Sequence, residues 1–155
     1  MSIGRILGPE DGKRMSLPIP GSTVVFKAWG DREPGDYDVA EFILGPGFPG
    51  PQPHVHRKHE EFFYVLEGEL EFLVGDQSVR LGPGSLSYVP PGVVHDFRNL
   101  GSSRARCLFV GSPAGLDRYF EEMAALGSEG EFTESALTQL RMKYDTDEVA
   151  RTWTA

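Results

Sequence analysis

The sequence has little cysteine and no long apolar run. Cys107 is the only cysteine among 155 residues, which excludes an internal disulfide and a cysteine-rich zinc site. The longest apolar run extends from Phe62 to Leu66, whereas a transmembrane helix needs about 20 apolar residues. The first residues also lack an apolar stretch of signal-peptide length. We therefore expect a cytoplasmic protein that does not enter a membrane.

Positive charge is also scarce. The chain has 15 lysines and arginines against 23 aspartates and glutamates, for a net charge of −8. Binding to nucleic acid or to an anionic membrane depends on clustered basic residues that displace counterions. The charge balance therefore argues against both classes of partner.

Glycine and proline are abundant instead. The chain contains 19 glycines and 12 prolines, and they are spread between residues 8 and 115. These residues favour turns, so their spacing predicts many short elements in a β barrel or sandwich. The length suits one domain with one core.

Periodicity divides the chain into three parts. Alternating apolar and β-branched residues predict eight strands at residues 23–29, 37–44, 60–66, 69–74, 77–81, 85–89, 95–99 and 104–110. After Pro113, apolar residues recur every three or four positions, which predicts a helix that ends at Gly127–Gly130 and a second helix capped by Thr133. We expect an irregular arm at 1–22, a barrel at 23–112, and helices at 113–155 that end in a frayed tail from residue 145.

The four histidines lie close together in the sequence, at positions 54, 56, 59 and 95. On an extended segment, the two-residue spacing of His54 and His56 turns both imidazoles to the same face. Glu61 begins the next predicted strand, and His95 follows a Pro-Pro-Gly turn. Three imidazoles and one carboxylate suit a divalent transition metal.

The segments that contain these residues resemble the two signature motifs of the cupin superfamily. His54, His56, Glu61 and Gly68 fit the first motif, although its leading glycine, Gly47, lies one residue too far away. The second motif is matched at every position, by Gly84, Pro90, Gly92, His95 and Asn99. The resemblance implies an all-β fold, a cupin-type double-stranded β-helix (jelly-roll barrel), here with a short α-helical C-terminal appendage.

The same resemblance implies one divalent transition metal per chain, bound by His54, His56, Glu61 and His95. Iron, manganese, nickel, cobalt and zinc all accept such ligands. Glu61 is favoured over Glu60 because six residues separate it from the motif glycine. Adjacent strand residues face opposite ways, so only one of the two glutamates points inward. His59 has no place in the motif and is expected at the rim of the substrate pocket.

Strand parity extends the predicted pocket. If Glu61 faces inward, so do Phe63 and Val65, and if His95 faces inward, so do Phe97 and Asn99. Phe62, Tyr64 and Leu66 would then form an apolar outer face, to be covered by the C-terminal helix or by a second subunit. We therefore expect a homodimer.

Three functions remain open for a small-molecule substrate. Residues 95–122 resemble the small bacterial cupins described as quercetinase-like, which implies a dioxygenase that uses dioxygen on an enol or catechol (flavonol-like) substrate, with Glu61 as the catalytic base. The alternatives are a redox-neutral isomerase, decarboxylase or lyase, and a non-catalytic binding protein, because cupins have all three functions.

Overall fold

A computed structural model describes residues 4–30, residues 35–150 and Trp153. The predicted arm, the turn between Gly30 and Gly35 and the predicted tail each lie partly outside these residues. The strands are β1 (Lys13–Ser16), β2 (Ser22–Ala28), β3 (Asp38–Leu44), β4 (His54–Val55), β5 (Glu60–Glu67), β6 (Leu70–Val74), β7 (Gln77–Leu81), β8 (Leu86–Val89), β9 (His95–Arg98), β10 (Ala105–Ser112) and β11 (Asp147–Glu148). The helices are α1 (Leu116–Ser128) and α2 (Glu134–Lys143).

The strands form two antiparallel sheets. The six-stranded sheet has the order β1-β2-β3-β10-β5-β8, and the five-stranded sheet has the order β11-β4-β9-β6-β7. All eight predicted strands are present, and the short strands β1, β4 and β11 are additional. The jelly-roll prediction is therefore confirmed.

Residues on β5 alternate between the inside and the outside of the barrel. Glu61, Phe63 and Val65 are buried, whereas Tyr64 and Leu66 are exposed. This alternation follows from the two-residue period of a strand. It brings Glu61 into the barrel interior.

A turn glycine allows β5 to end and β6 to begin. Gly68 has a φ of +72°, and a Cβ atom at this position would lie 2.6 Å from the carbonyl oxygen of Arg104. Only glycine combines this left-handed conformation with such a close approach. The last glycine of the first motif is thus required by the backbone.

The core between the sheets is built largely from aromatic rings. Phe42 lies at its centre, with ring centroids 5.3 to 6.4 Å from those of Phe63, Phe97, Phe109 and Phe120. Such tilted and edge-on contacts are the favoured geometries of aromatic pairs. Cys107 is fully buried in the same core, as expected for a small apolar side chain.

The two helices close one end of the barrel. Phe120 of α1 packs 5.8 Å from Phe26 and 5.5 Å from Phe42, measured between ring centroids. The side chain of Thr133 accepts a hydrogen bond from the amide of Ala136 and caps α2 as predicted. None of the described helices is long and apolar enough to cross a membrane.

The C-terminal segment is not frayed where the structure describes it, so that prediction is wrong. Strand β11 pairs with β4, with Glu148 opposite His54, and the amide of Val149 donates to the carbonyl of Pro53. The indole of Trp153 donates to Asp96 Oδ2 at 3.1 Å. These contacts are distant in sequence, and no local periodicity marks them.

Candidate metal centre

Strand pairing brings three histidines together. His54 of β4 lies directly opposite His95 of β9, and His56 follows two residues later. Ring centroids are 4.3 Å apart for His54 and His95, 5.0 Å for His54 and His56, and 5.2 Å for His56 and His95. One nitrogen from each ring lies within 4.8 Å of the others, and all three side chains are buried. This cluster could hold a metal ion.

Backbone carbonyls orient all three imidazoles. The Nδ1 atom of His54 donates to the carbonyl of Gln52 at 2.7 Å, and that of His95 donates to Val93 at 3.0 Å. His56 Nδ1 donates to the carbonyl of Asp145 at 2.8 Å. A proton on Nδ1 leaves the lone pair of a neutral imidazole on Nε2, which is the arrangement found in metal-binding histidines.

Glu61 contacts two of the three histidines from the facing sheet. Its Oε2 atom lies 2.9 Å from His95 Nε2, and its Oε1 atom lies 3.2 Å from His56 Nε2. These carboxylate oxygens and imidazole lone pairs repel each other unless a cation lies between them, whether a proton or a metal. Three nitrogens and a carboxylate that converge in this way fit a divalent transition metal.

The electrostatics of the cluster favour neutral His54 and ionised Glu61. Burial, with the neighbouring His95 and His56, lowers the pKa of His54 to about 3, so this imidazole is neutral at pH 7. Burial alone would raise the pKa of Glu61, but hydrogen bonds with His56 and His95 hold it well below its usual range. Burial is the largest single influence on the pKa of His56 and lowers it, but the hydrogen bonds to Glu61 and Asp145 and the charges of these residues together raise that pKa overall.

Glu60 and His59, the other two candidate site residues near the cluster, have other hydrogen-bond partners. Glu60 is half-buried and accepts a hydrogen bond from the hydroxyl of Tyr88 at 3.1 Å, on the opposite face of β5 from Glu61. His59 Nδ1 lies 3.2 Å from Asp145 Oδ2. Its ring centroid lies 5.7 Å from that of His56, but His59 does not line the cavity described next.

A mostly apolar cavity adjoins the histidine cluster. Its walls include residues of both sheets, the N-terminal arm and the two helices: Leu17, Ile19, Ser22, Phe42, Leu44, Phe48, Pro51, His54, His56, Glu61, Phe63, Phe97, Phe109, Leu116, Tyr119, Phe120, Met123, Arg141 and Thr146. Phe63 and Phe97 form part of the wall, as strand parity suggested. Val65 and Asn99 do not.

Val65 and Asn99 have structural positions instead. Val65 is fully buried. It lies two residues after Phe63 on the same inward face of β5. The side-chain amide of Asn99 donates to the carbonyls of Leu44, Gly45 and Ser103. Asn99 therefore joins loops rather than facing a ligand.

The cavity is small. The centre of a water molecule can occupy about 60 Å³ of it, which is less than half of the about 150 Å³ of an apolar cavity that accepts a benzene molecule. An aromatic ring can therefore enter only if side chains of the wall move outward.

Asp145 is a site residue that the sequence analysis missed. Besides its carbonyl contact to His56, its carboxylate accepts from the amides of Arg57 and Lys58, at 3.1 and 2.8 Å. Its φ of +51° is in the left-handed region, which Asp tolerates better than most residues. Asp145 lies 89 residues from His56, so no local sequence signal could have identified it.

The chain matches known proteins mainly across the barrel. Residues 40–111 match the family described as "Cupin domain". A quercetin 2,3-dioxygenase of Bacillus subtilis (strain 168) is 33% identical over 70 residues, 45% of this chain but only 20% of that protein. An uncharacterized protein of Streptomyces coelicolor is 36% identical over 76 residues, 48% of this chain and 69% of that protein.

A solved structure has the same fold. The structure of KdgF from Halomonas sp. has a TM-score of 0.65 and 21% sequence identity, over 75% of this chain and 99% of that chain. At this identity the likeness shows the architecture alone. The match of residues 40–111 to the cupin domain, together with a relative that is 36% identical over 69% of its own length, shows that the chain belongs to the cupin superfamily.

Proposed function

We propose that this protein is a metal-dependent dioxygenase that acts on a small catechol or enol with a single ring. One divalent metal is held by His54, His56, His95 and Glu61. The proposal depends on one observation: three oriented imidazoles and a buried carboxylate converge at a small cavity with aromatic walls. The partial similarity to a quercetin dioxygenase supports the reaction class.

The three histidines and Glu61 would hold a divalent metal, which would supply a positive charge that lowers the pKa of a substrate hydroxyl and would enable reaction with dioxygen. Glu61 is ionised at neutral pH, so Oε2 can accept the proton that the substrate hydroxyl loses. Phe63 and Phe97 hold the ring against the metal centre and exclude water. The overall reaction adds both atoms of one dioxygen molecule as a ring bond breaks, so no other reductant is needed.

The cavity size narrows the substrate class from the sequence-based expectation. With its walls as they stand, the cavity has less room than one aromatic ring needs. A single-ring catechol therefore requires the walls to move less than a three-ring flavonol does. We therefore propose single-ring substrates.

Binding and turnover of 4-methylcatechol test this function. The full chain is loaded in turn with each of the five metals and kept without oxygen. Binding should then shift the catechol absorption to longer wavelength, because the substrate hydroxyl loses its proton. Admission of oxygen to the active metal form should bleach the band and consume one dioxygen per catechol. The dimethyl ether, which lacks both hydroxyls, should show neither change. A shift without oxygen consumption for every metal would favour redox-neutral chemistry or simple binding.

Loss of the Asp145 carboxylate should weaken metal binding. In Asp145→Ala the amides of Arg57 and Lys58 lose their acceptor, so the loop that positions His56 is less ordered. Removal of such supporting groups typically lowers metal affinity by about 10–100-fold. Competition with a chelator measures the affinity, and Asp147→Ala, which removes only an exposed ion pair with Arg57, should match the wild type. Equal affinity in the two variants would contradict a supporting role for Asp145.

We also propose a homodimer formed through the outer face of β5 and β8. Tyr64 and Leu86 are register partners, 41% and 57% exposed, and the helices do not cover them because they close the end of the barrel. Light scattering should give twice the chain mass of 17.1 kDa. The double variant Tyr64→Glu, Leu86→Glu should give the mass of one chain. Met142→Glu, which changes an exposed residue of α2, should still give the mass of two chains. A wild-type value of 17.1 kDa would refute the dimer.

A further inference from the structure

Arg141 places a buried positive charge at the wall of the cavity. It lies near the end of α2, only 7% of its surface is exposed, and it lines the same cavity as His54 and His56. Among the described residues, no other lysine or arginine lines this cavity. A buried charge needs compensating partners, so the contacts of Arg141 determine what else it can bind.

Three contacts of Arg141 leave part of its five N–H donors for a ligand. Nη2 donates to the carbonyl of Pro51 at 2.5 Å, Nη1 lies 2.7 Å from Glu148 Oε1, and the guanidinium is also hydrogen-bonded to Tyr119. A guanidinium has five N–H donors in a planar fork that fits a carboxylate. Glu148 is 45% exposed on the two-residue strand β11, so water screens its charge and weakens the ion pair.

Tyr119 of α1 provides a second donor beside Arg141. Its side chain is 7% exposed and lines the same cavity. Burial raises the pKa of Tyr119, although the charge of Arg141 and their hydrogen bond act in the opposite direction. The hydroxyl is therefore protonated at neutral pH and has a hydrogen to donate.

We propose that Arg141 and Tyr119 bind a carboxylate of the substrate, which makes the substrate a single-ring aromatic acid with ring hydroxyls. This inference rests on the proposed function, because the metal centre must hold the hydroxyl end of the same ring. The remaining walls are largely apolar and offer no other cation. Charge-assisted hydrogen bonds of the fork to a carboxylate then select acids over neutral molecules of the same shape.

Binding of matched acids and methyl esters tests whether the cavity prefers a carboxylate. The probes are 3,4-dihydroxybenzoate, 3,4-dihydroxyphenylacetate and their methyl esters, titrated calorimetrically without oxygen into the full chain loaded with Zn²⁺. In the wild type, at least one acid should bind about tenfold or more tightly than its ester, as expected for a charged hydrogen bond. Arg141→Gln should abolish this difference and leave ester affinity within about threefold. Arg80→Gln, which changes an exposed arginine paired with Glu69, should keep the preference.

A second variant tests the same site without altering Arg141. Glu148→Gln removes the internal carboxylate that competes for the guanidinium, so acids should bind more tightly while ester affinity stays unchanged. If Arg141→Gln does not fold, the acid and ester affinities of Glu148→Gln test the carboxylate site instead. Equal affinity for acid and ester in the wild type, with the esters still bound, overturns the carboxylate site and leaves the proposed function standing. If neither acid nor ester binds, the catechol function fails and this inference fails with it.

Discussion

Replacement of His95 by alanine is expected to remove almost all bound metal. His95 is 2% exposed, lies opposite His54 and contacts Glu61 Oε2 at 2.9 Å. Loss of a supporting residue alone costs about 10–100-fold in metal affinity, so loss of a ligand should cost at least the upper end of that range. His54→Ala and His56→Ala should behave alike, and metal analysis after identical purification gives the ion content per chain.

Glu60→Gln is the matched control for these variants. Glu60 lies beside Glu61 in sequence, but it faces Tyr88 on the outside of the barrel, so its metal content should equal that of the wild type. A far-ultraviolet spectrum of each alanine variant confirms that the fold persists. Wild-type metal content in all three histidine variants would eliminate the metal-site assignment.

Glu61→Gln is expected to reduce oxygen consumption by on the order of 10²–10⁴-fold, the usual contribution of a general base. The amide keeps the shape of the side chain but cannot accept the proton of the substrate hydroxyl. Because Glu61 is also a proposed ligand, the rate must be divided by the metal content of the same sample. The absorption shift of bound 4-methylcatechol without oxygen gives an independent measure of proton loss.

The same assay on Glu60→Gln checks the strand register. A one-residue slip in β5 would exchange the faces of Glu60 and Glu61. If Glu60→Gln lost activity and Glu61→Gln kept it, the inward position of Glu61 would be wrong. With the register described, only Glu61→Gln should be impaired.

Local patterns were sufficient for eight of the barrel strands, and the cupin motifs predicted the histidine cluster. The strand period is two residues, so once the motif placed Glu61 inward, the inward position of Phe63 could be predicted without a partner strand. The spacing of His54 and His56 and the turn before His95 likewise depend on residues close in sequence. The requirement for Gly68 is partly long-range, because a Cβ there would approach the carbonyl oxygen of Arg104.

The C-terminal contributions depended on tertiary packing. Asp145 orients His56 from 89 residues away, and Arg141 reaches the cavity only because α2 folds back over the end of the barrel. The periodicity of α2 indicates a helix but contains no information about the surface it covers. Cavity volume has the same origin, since it depends on how residues from both sheets, both helices and the arm pack together. The sequence thus determined eight strands through short-range periodicity and the histidine cluster through its cupin motifs, whereas long-range packing determined the size and charge of the cavity beside it.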